Sequence, residues 1–179
     1  LNRDVASEIV IGTSDGEVHA IQRDGTELAG WPARTGPMRG MSATRTPSYL
    51  GSAGYQTPAG MTAPGIDPTL ARDPVLSTVG VGDLDGDGAP EVVAAGYHGT
   101  VYVFRANGTP YEHGFPFELP DVPSAMTSPT AILDRGIFGA MVLSDLDGDR
   151  TPEIVFGAFD GKLYALDVTN GHVKDGFPV

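Results

Sequence analysis

The chain repeats one pattern three times, and that repetition limits its fold more than any other feature. The copies run EIVIGTSDGEVHAIQRDGTELAGWP (Glu8 to Pro32), EVVAAGYHGTVYVFRANGTPYEHGFP (Glu91 to Pro116) and EIVFGAFDGKLYALDVTNGHVKDGFP (Glu153 to Pro178). In each, a first turn lies seven residues after the leading glutamate, at Asp15, His98 or Asp160, and each of these is followed by glycine. A second turn, Asp24-Gly25, Asn107-Gly108 or Asn170-Gly171, follows nine or ten residues later, and every copy closes on Trp-Pro or Phe-Pro. A repeat of this length is one supersecondary unit that needs its neighbours to bury its apolar side chains.

Short β-branched and aromatic runs joined by Asp-Gly or Asn-Gly predict hairpins with tight turns. Each copy therefore reads as strand, turn, strand, turn and a short outer strand. A further apolar run precedes two of the copies, within Val75 to Leu84 and Gly136 to Leu146. Four antiparallel strands per unit are the make-up of a propeller blade. The 25 glycines and 15 prolines also exceed what a helical domain tolerates inside its elements.

The expected fold class is all-β, with two complete four-stranded propeller blades and most of a third, forming a partial propeller or one completed by other chains. The expected boundaries are an incomplete first blade (1–32), a Gly/Pro-rich inter-blade insertion (33–74) and a second blade (75–116). A shorter connection (117–135) and the third blade (136–179) follow.

Ahead of the second and third copies stand VGDLDGDGAPEVV and LSDLDGDRTPEIV. Counting from Asp83, carboxylates fall at positions 1, 3, 5 and 9: Asp83, Asp85, Asp87 and Glu91, with the Ala89 carbonyl available at position 7. The second loop offers Asp145, Asp147, Asp149, the Thr151 carbonyl and Glu153. Four carboxylates within nine residues repel one another unless a cation sits between them. Hard oxygen donors at this density suit Ca²⁺, which takes six to eight of them at ~2.3–2.6 Å, better than Mg²⁺, which keeps its waters. Two full sites are expected. A third, partial one is expected at Asn2, Asp4 and Glu8, where LNRDVASEIV aligns with LDGDGAPEVV but the first ligand falls before Leu1. An EF-hand would place a ligand at position 12, where Ala94 and Phe156 stand.

The formal net charge of −12 argues against a nucleic-acid partner. The absence of cysteine excludes a disulfide framework and thiol chemistry. No apolar run approaches the ~20 residues of a membrane span. The chain shows no targeting segment and does not start with Met, so a processed protein or a piece of a larger one is expected.

Other candidates reduce to structure. GTSDG (Gly12 to Gly16) matches a nucleophile elbow, but that motif needs a strand-to-helix turn and this segment predicts a hairpin. His19, His98, His113 and His172 recur at no common repeat position and have no partner at metal-ligand spacing. Trp31, Phe115 and Phe177 recur before proline, as residues packed between blades would.

D-L-D-G-D-G-x-P-E-(I/V)-V, then x-D-G-x-(V/L)-Y and G-(W/F)-P, resembles the FG-GAP/VCBS repeat family across about 100 of the 179 residues. The resemblance implies calcium-binding β-propeller blades like those of integrin α-subunits and of bacterial surface and secreted proteins. It implies one Ca²⁺ per loop, held between the first and second strands of a blade by the residues named above. Arg150, where the family usually has Gly, departs from the pattern, as do the incomplete first loop and the long insertion.

The expected role is non-catalytic adhesion, scaffolding or extracellular assembly in a secreted or cell-surface protein. The partner would be a protein or glycan on the cell surface or matrix, or further copies of the chain forming a multimer or filament. The alternatives are the propeller of a secreted polysaccharide lyase, drawing on Arg34, Arg39, Arg45 and Tyr49, or a carbohydrate-binding lectin.

Overall fold

A computed structural model describes residues 1, 7–37, 72–120 and 136–179. Asn2, Asp4, Arg39, Arg45 and Tyr49 lie outside the described residues. The described chain is all-β, with three small antiparallel sheets. Among the described residues no helix is long and apolar enough to cross a membrane.

The first sheet contains β1 (Ile9–Gly12), β2 (Glu17–Ile21) and β3 (Ala33–Arg34) in that order. The second is a four-stranded meander of β4 (Gly80–Gly82), β5 (Glu91–Ala95), β6 (Thr100–Phe104) and β7 (Phe117–Glu118). The third contains β8 (Val142–Ser144), β9 (Glu153–Gly157) and β10 (Leu163–Leu166). Its outer position is held by Val179, whose N–H and C=O both pair with Leu163. Val179 thus takes the place that Ala33 has against Val18 and Phe117 has against Val101.

The outer strands begin later than the repeats suggest. β3 and β7 start after the proline, inside the stretches assigned to the insertion and the connection. Before the proline, only isolated bridges tie the returning chain to the sheet: Ile21↔Glu27, Phe104↔Pro110 and Leu166↔Val173. Proline has no N–H to donate to a ladder, so regular pairing resumes one residue beyond it. The leading strands are likewise three residues each, shorter than the apolar runs containing them.

The core lies between the sheets. β5 and β6 are buried along their whole length, and their side chains divide by parity. Val92, Ala94, Tyr102 and Phe104 join Val18, Ala20, Leu28 and Trp31 of the first sheet. Val93, Ala95, Val101 and Val103 face Ile154, Phe156, Tyr164 and Leu166 of the third. Strict alternation thus lets one sheet serve two cores. β2, covered on one face only, alternates half-buried and buried residues.

Adjacent sheets also meet through their turns. The Trp31 indole N–H donates to the Ala106 carbonyl at 3.0 Å, at the second turn of the next sheet. Gly30 and Gly114, just before the aromatic-proline pairs, have φ of +93° and +82°. A Cβ on Gly30 would lie 2.1 Å from the Asn107 carbonyl oxygen, and one on Gly114 would lie 1.9 Å from that of Asn170. The glycine of G-(W/F)-P therefore sets how closely the next unit docks. Trp31 and Phe115 are buried in the two cores, which bears out the packing role.

Candidate metal centres

Each aspartate loop joins a leading strand to the central strand of its sheet: Asp83–Glu91 connects β4 to β5, and Asp145–Glu153 connects β8 to β9. The aspartates fold the loops by accepting backbone N–H bonds. Asp83 accepts from Gly86 at 2.8 Å and from Gly88 at 2.9 Å, one bond per carboxylate oxygen. Asp85 accepts from the N–H of Asp87, and Asp87 accepts from that of Ala89. Glu91, already in the strand, reaches back to accept the Leu84 N–H at 2.9 Å.

The second loop repeats this bond for bond. Asp145 accepts from Gly148 at 2.7 Å and from Arg150 at 2.9 Å. Asp147 accepts from Asp149, Asp149 from Thr151, and Glu153 from Leu146. Arg150 keeps this geometry by adopting φ 79°, the left-handed conformation that Gly88 holds at φ 82°. Ala89 and Thr151 sit half-buried at the ends of their loops and enter the network through their N–H groups.

These turns gather the carboxylates. One oxygen each from Asp83, Asp85 and Glu91 lies within 4.8 Å of the others, and so does one each from Asp145, Asp147 and Asp149. The structure does not bring Asp87 into the first group or Glu153 into the second. Glu8 keeps the bond of its counterparts, accepting from the Leu1 N-terminus at 3.1 Å as Glu91 does from Leu84.

The two centres differ electrostatically. Glu91 is 1 % exposed, and its carboxyl is pushed above the ordinary value. Burial is the main cause. The Leu84 N–H opposes the rise, while the negative charges of Asp85, Asp87 and Asp83 add to it. A buried carboxylate amid three like charges, with hard oxygens converging on it, fits a divalent cation. In the second centre the Lys174 ammonium donates to Asp147 at 2.8 Å and to Glu153. That contact, together with the Asp149 N–H, holds the Asp147 carboxyl below its usual range. The acidic clusters are compatible with Ca²⁺ sites of the FG-GAP type, by donor chemistry and by their place between two strands.

The remaining sequence candidates have structural partners. Ser14 lies in the turn between β1 and β2, where Thr13 and Glu17 close a hairpin, so GTSDG precedes no helix. His19 meets Glu27 at 3.1 Å, and His113 stacks on Tyr111. Arg34 is paired with Glu17 at 2.8 Å. His98 donates its backbone N–H to Asp73 and sets Nδ1 2.8 Å from the same carboxylate. Asp73 is fully buried, and the Tyr102 hydroxyl is 3.4 Å from its second oxygen. Asp73 went unremarked in the sequence because its partners lie more than twenty residues away; only the non-repeated His98 hinted at it.

Residues 83–156 match the family model for the FG-GAP-like repeat, so this part of the chain is such a repeat. No curated protein sequence matches the chain. Among solved structures, one titled as the crystal structure of BBS1N in complex with ARL6DN, soaked with mercury, matches at 15% identity and a TM-score of 0.47. The alignment covers all of this chain and 37% of that one.

Proposed function

We propose that this chain is a calcium-stabilised β-propeller module of a secreted or cell-surface protein, non-catalytic, serving adhesion, scaffolding or extracellular assembly. The observation that carries the proposal is the pair of loops with one bonding pattern, each closing a leading strand onto a central strand within an FG-GAP-like repeat. Asp83, Asp85, Asp87, Glu91 and the Ala89 carbonyl would hold one Ca²⁺. Asp145, Asp147, Asp149, Glu153 and the Thr151 carbonyl would hold the other. The ion supplies positive charge that lets the carboxylates converge, and its work is structural. Glu91 and Glu153 are the first residues of β5 and β9, so a cation bound there ties the leading strand to the core.

A ligand that binds only the folded state adds about 2.7 kcal/mol at a hundredfold excess over Kd. Chelation with EGTA is therefore expected to lower Tm, with two calcium ions per chain by elemental analysis. Asp83→Ala and Asp145→Ala should each reproduce part of the loss. An unchanged Tm and no bound metal would defeat the calcium reading.

The assembly role draws support from the two outward faces. Ile9 and Ile11 stand open on the first sheet at 66% and 52% exposure, whereas Val92 and Ala94 at the same repeat positions are buried. Val142, Leu163 and Val179 leave a similar apolar face open on the third sheet. Blades of this type bury such faces against neighbours. In Ca²⁺ a defined multimer or filament is expected by light scattering; a species near the chain mass of 18.6 kDa would remove the self-assembly arm.

A further inference from the structure

We propose that the open face of the first sheet receives the open face of the third sheet of a second copy, so that two copies of three sheets join head to tail into one ring. This rests on the assembly reading above and names its partner and its faces.

Both internal junctions are built from the same repeat positions. The first sheet presents Val18, Ala20, Leu28 and Trp31 to Val92, Ala94, Tyr102 and Phe104 of the second. The second presents Val101, Val103, Tyr111 and Phe115 to Ile154, Phe156, Tyr164 and Leu166 of the third. Backbone register continues both series. The Leu28 N–H donates to Ala20, the Tyr111 N–H to Val103 and the Lys174 N–H to Ala165, so Lys174 stands where Leu28 and Tyr111 do. Counting without gaps from the leading glutamates would set Lys174 on Glu112 instead. The second turn of the third sheet is one residue longer, with the Asp167 N–H donating to His172 where the Arg105 N–H donates to Thr109. The third sheet thus presents Leu163, Ala165, Lys174 and Phe177, and the first offers Ile9, Ile11, His19 and Ile21.

These two sets are the halves of a further junction. Ile9, Ile11 and Leu163 are 66%, 52% and 41% exposed, whereas Val92, Ala94 and Val101 at the same positions are fully buried. Phe177 is half-buried where Trp31 and Phe115 are buried. The turns match as well. Gly30 and Gly114 each press on the second turn of the following sheet, at Asn107 and Asn170. Gly176 is the third such glycine, and Gly25 lies in the remaining second turn. Among the described residues, neither would bring a Cβ within 4 Å of another atom.

Charge selects a second copy as the occupant. Val173 packs against the cluster that contains Tyr111. The bridges Leu166↔Val173 and Ile21↔Glu27 put Glu27 at the position of Val173. The further junction therefore sets Lys174 against Glu27, where the internal one has tyrosine and valine. First face on first face, or third on third, would leave each without its opposite. Propellers close with about four to eight blades. One copy has three sheets, too few to close, and three copies have too many, so the ring takes two.

Sedimentation of the full chain in Ca²⁺ tests this. Wild type is expected at twice the chain mass of 18.6 kDa. I11K and L163E each place a charge at an exposed position on one face, and both should run at the chain mass. An equimolar mixture of the two should return to twice that mass. In it, one junction keeps both wild-type faces and the other pairs the two introduced charges. Lysine is tolerated on an edge strand, and circular-dichroism melts check that both variants fold; I9K replaces I11K should the latter misfold. A wild-type chain at 18.6 kDa would remove the assembly reading and this pairing together. A larger wild-type species, a dimer that survives in either variant alone, or variants that do not recover on mixing would overturn the head-to-tail pairing and leave the assembly reading standing.

Discussion

Replacing Glu91 by glutamine should change stability in opposite directions with and without calcium. Glu91 is 1 % exposed, and its carboxylate shares a 4.8 Å sphere with oxygens of Asp83 and Asp85. At that separation two unit charges repel by about 1 kcal/mol even at the dielectric constant of water, so removing the Glu91 charge relieves about 2 kcal/mol. The amide oxygen can still accept the Leu84 N–H, though a neutral acceptor gives up about 1 kcal/mol against a charged one. The net gain of about 1 kcal/mol raises the EGTA-treated Tm by about 2–4 °C for a chain of this size. In calcium the sign reverses. A lost ligand costs up to the full linkage term, about 2.7 kcal/mol at a hundredfold excess over Kd. Differential scanning calorimetry in EGTA and in Ca²⁺ reads both arms. pH offers a second check on the same group. Because the folded-state pKa of Glu91 is raised, its contribution to calcium-free stability is fully present below the ordinary value of 4.5 and is lost as pH rises through the folded value. E91Q should flatten that part of the pH profile. A fall of equal size in both media, with no flattening, would mean that Glu91 serves only as a hydrogen-bond acceptor.

Three backbone substitutions extend the test to the frame that holds the loops. G114A, with φ +82° and a Cβ 1.9 Å from the Asn170 carbonyl oxygen, should cost more than about 2 kcal/mol by urea denaturation, while G157A, whose Cβ meets nothing within 4 Å, should cost nothing measurable. R150G should raise stability by about 0.5–1 kcal/mol, since Arg150 holds a left-handed φ of 79° that glycine adopts without penalty.

The parts of the fold legible in the sequence are those where a local constraint repeats. The aspartate loops were readable because each side chain folds the loop around itself within five residues, so spacing alone encodes the bonds. β5 and β6 were readable because both parities are apolar, as a sheet between two others requires. The outer strands were placed too early because a two-residue strand has no period, and its start is set by a proline rather than by its own residues. Arg150 broke the glycine pattern without breaking the loop, because its N–H keeps the bond to Asp145 that Gly88 makes to Asp83.

Lys174 escaped for a different reason, and it bears on how such repeats diverge. The third copy has the same length as the second, so nothing in the spacing signals that its turn holds one residue more and the segment after it one fewer. That compensated slip moves a new side chain into the position beside the aspartate loop while leaving strands, core and loop bonds in place. A one-residue register change in a strand would invert its buried face. Here the slip falls between the turn and the isolated bridge Leu166↔Val173, where no ladder enforces parity. Sheet repeats of this kind can therefore retune a loop's electrostatics at a point where the fold is indifferent, and the difference between the two centres arises there.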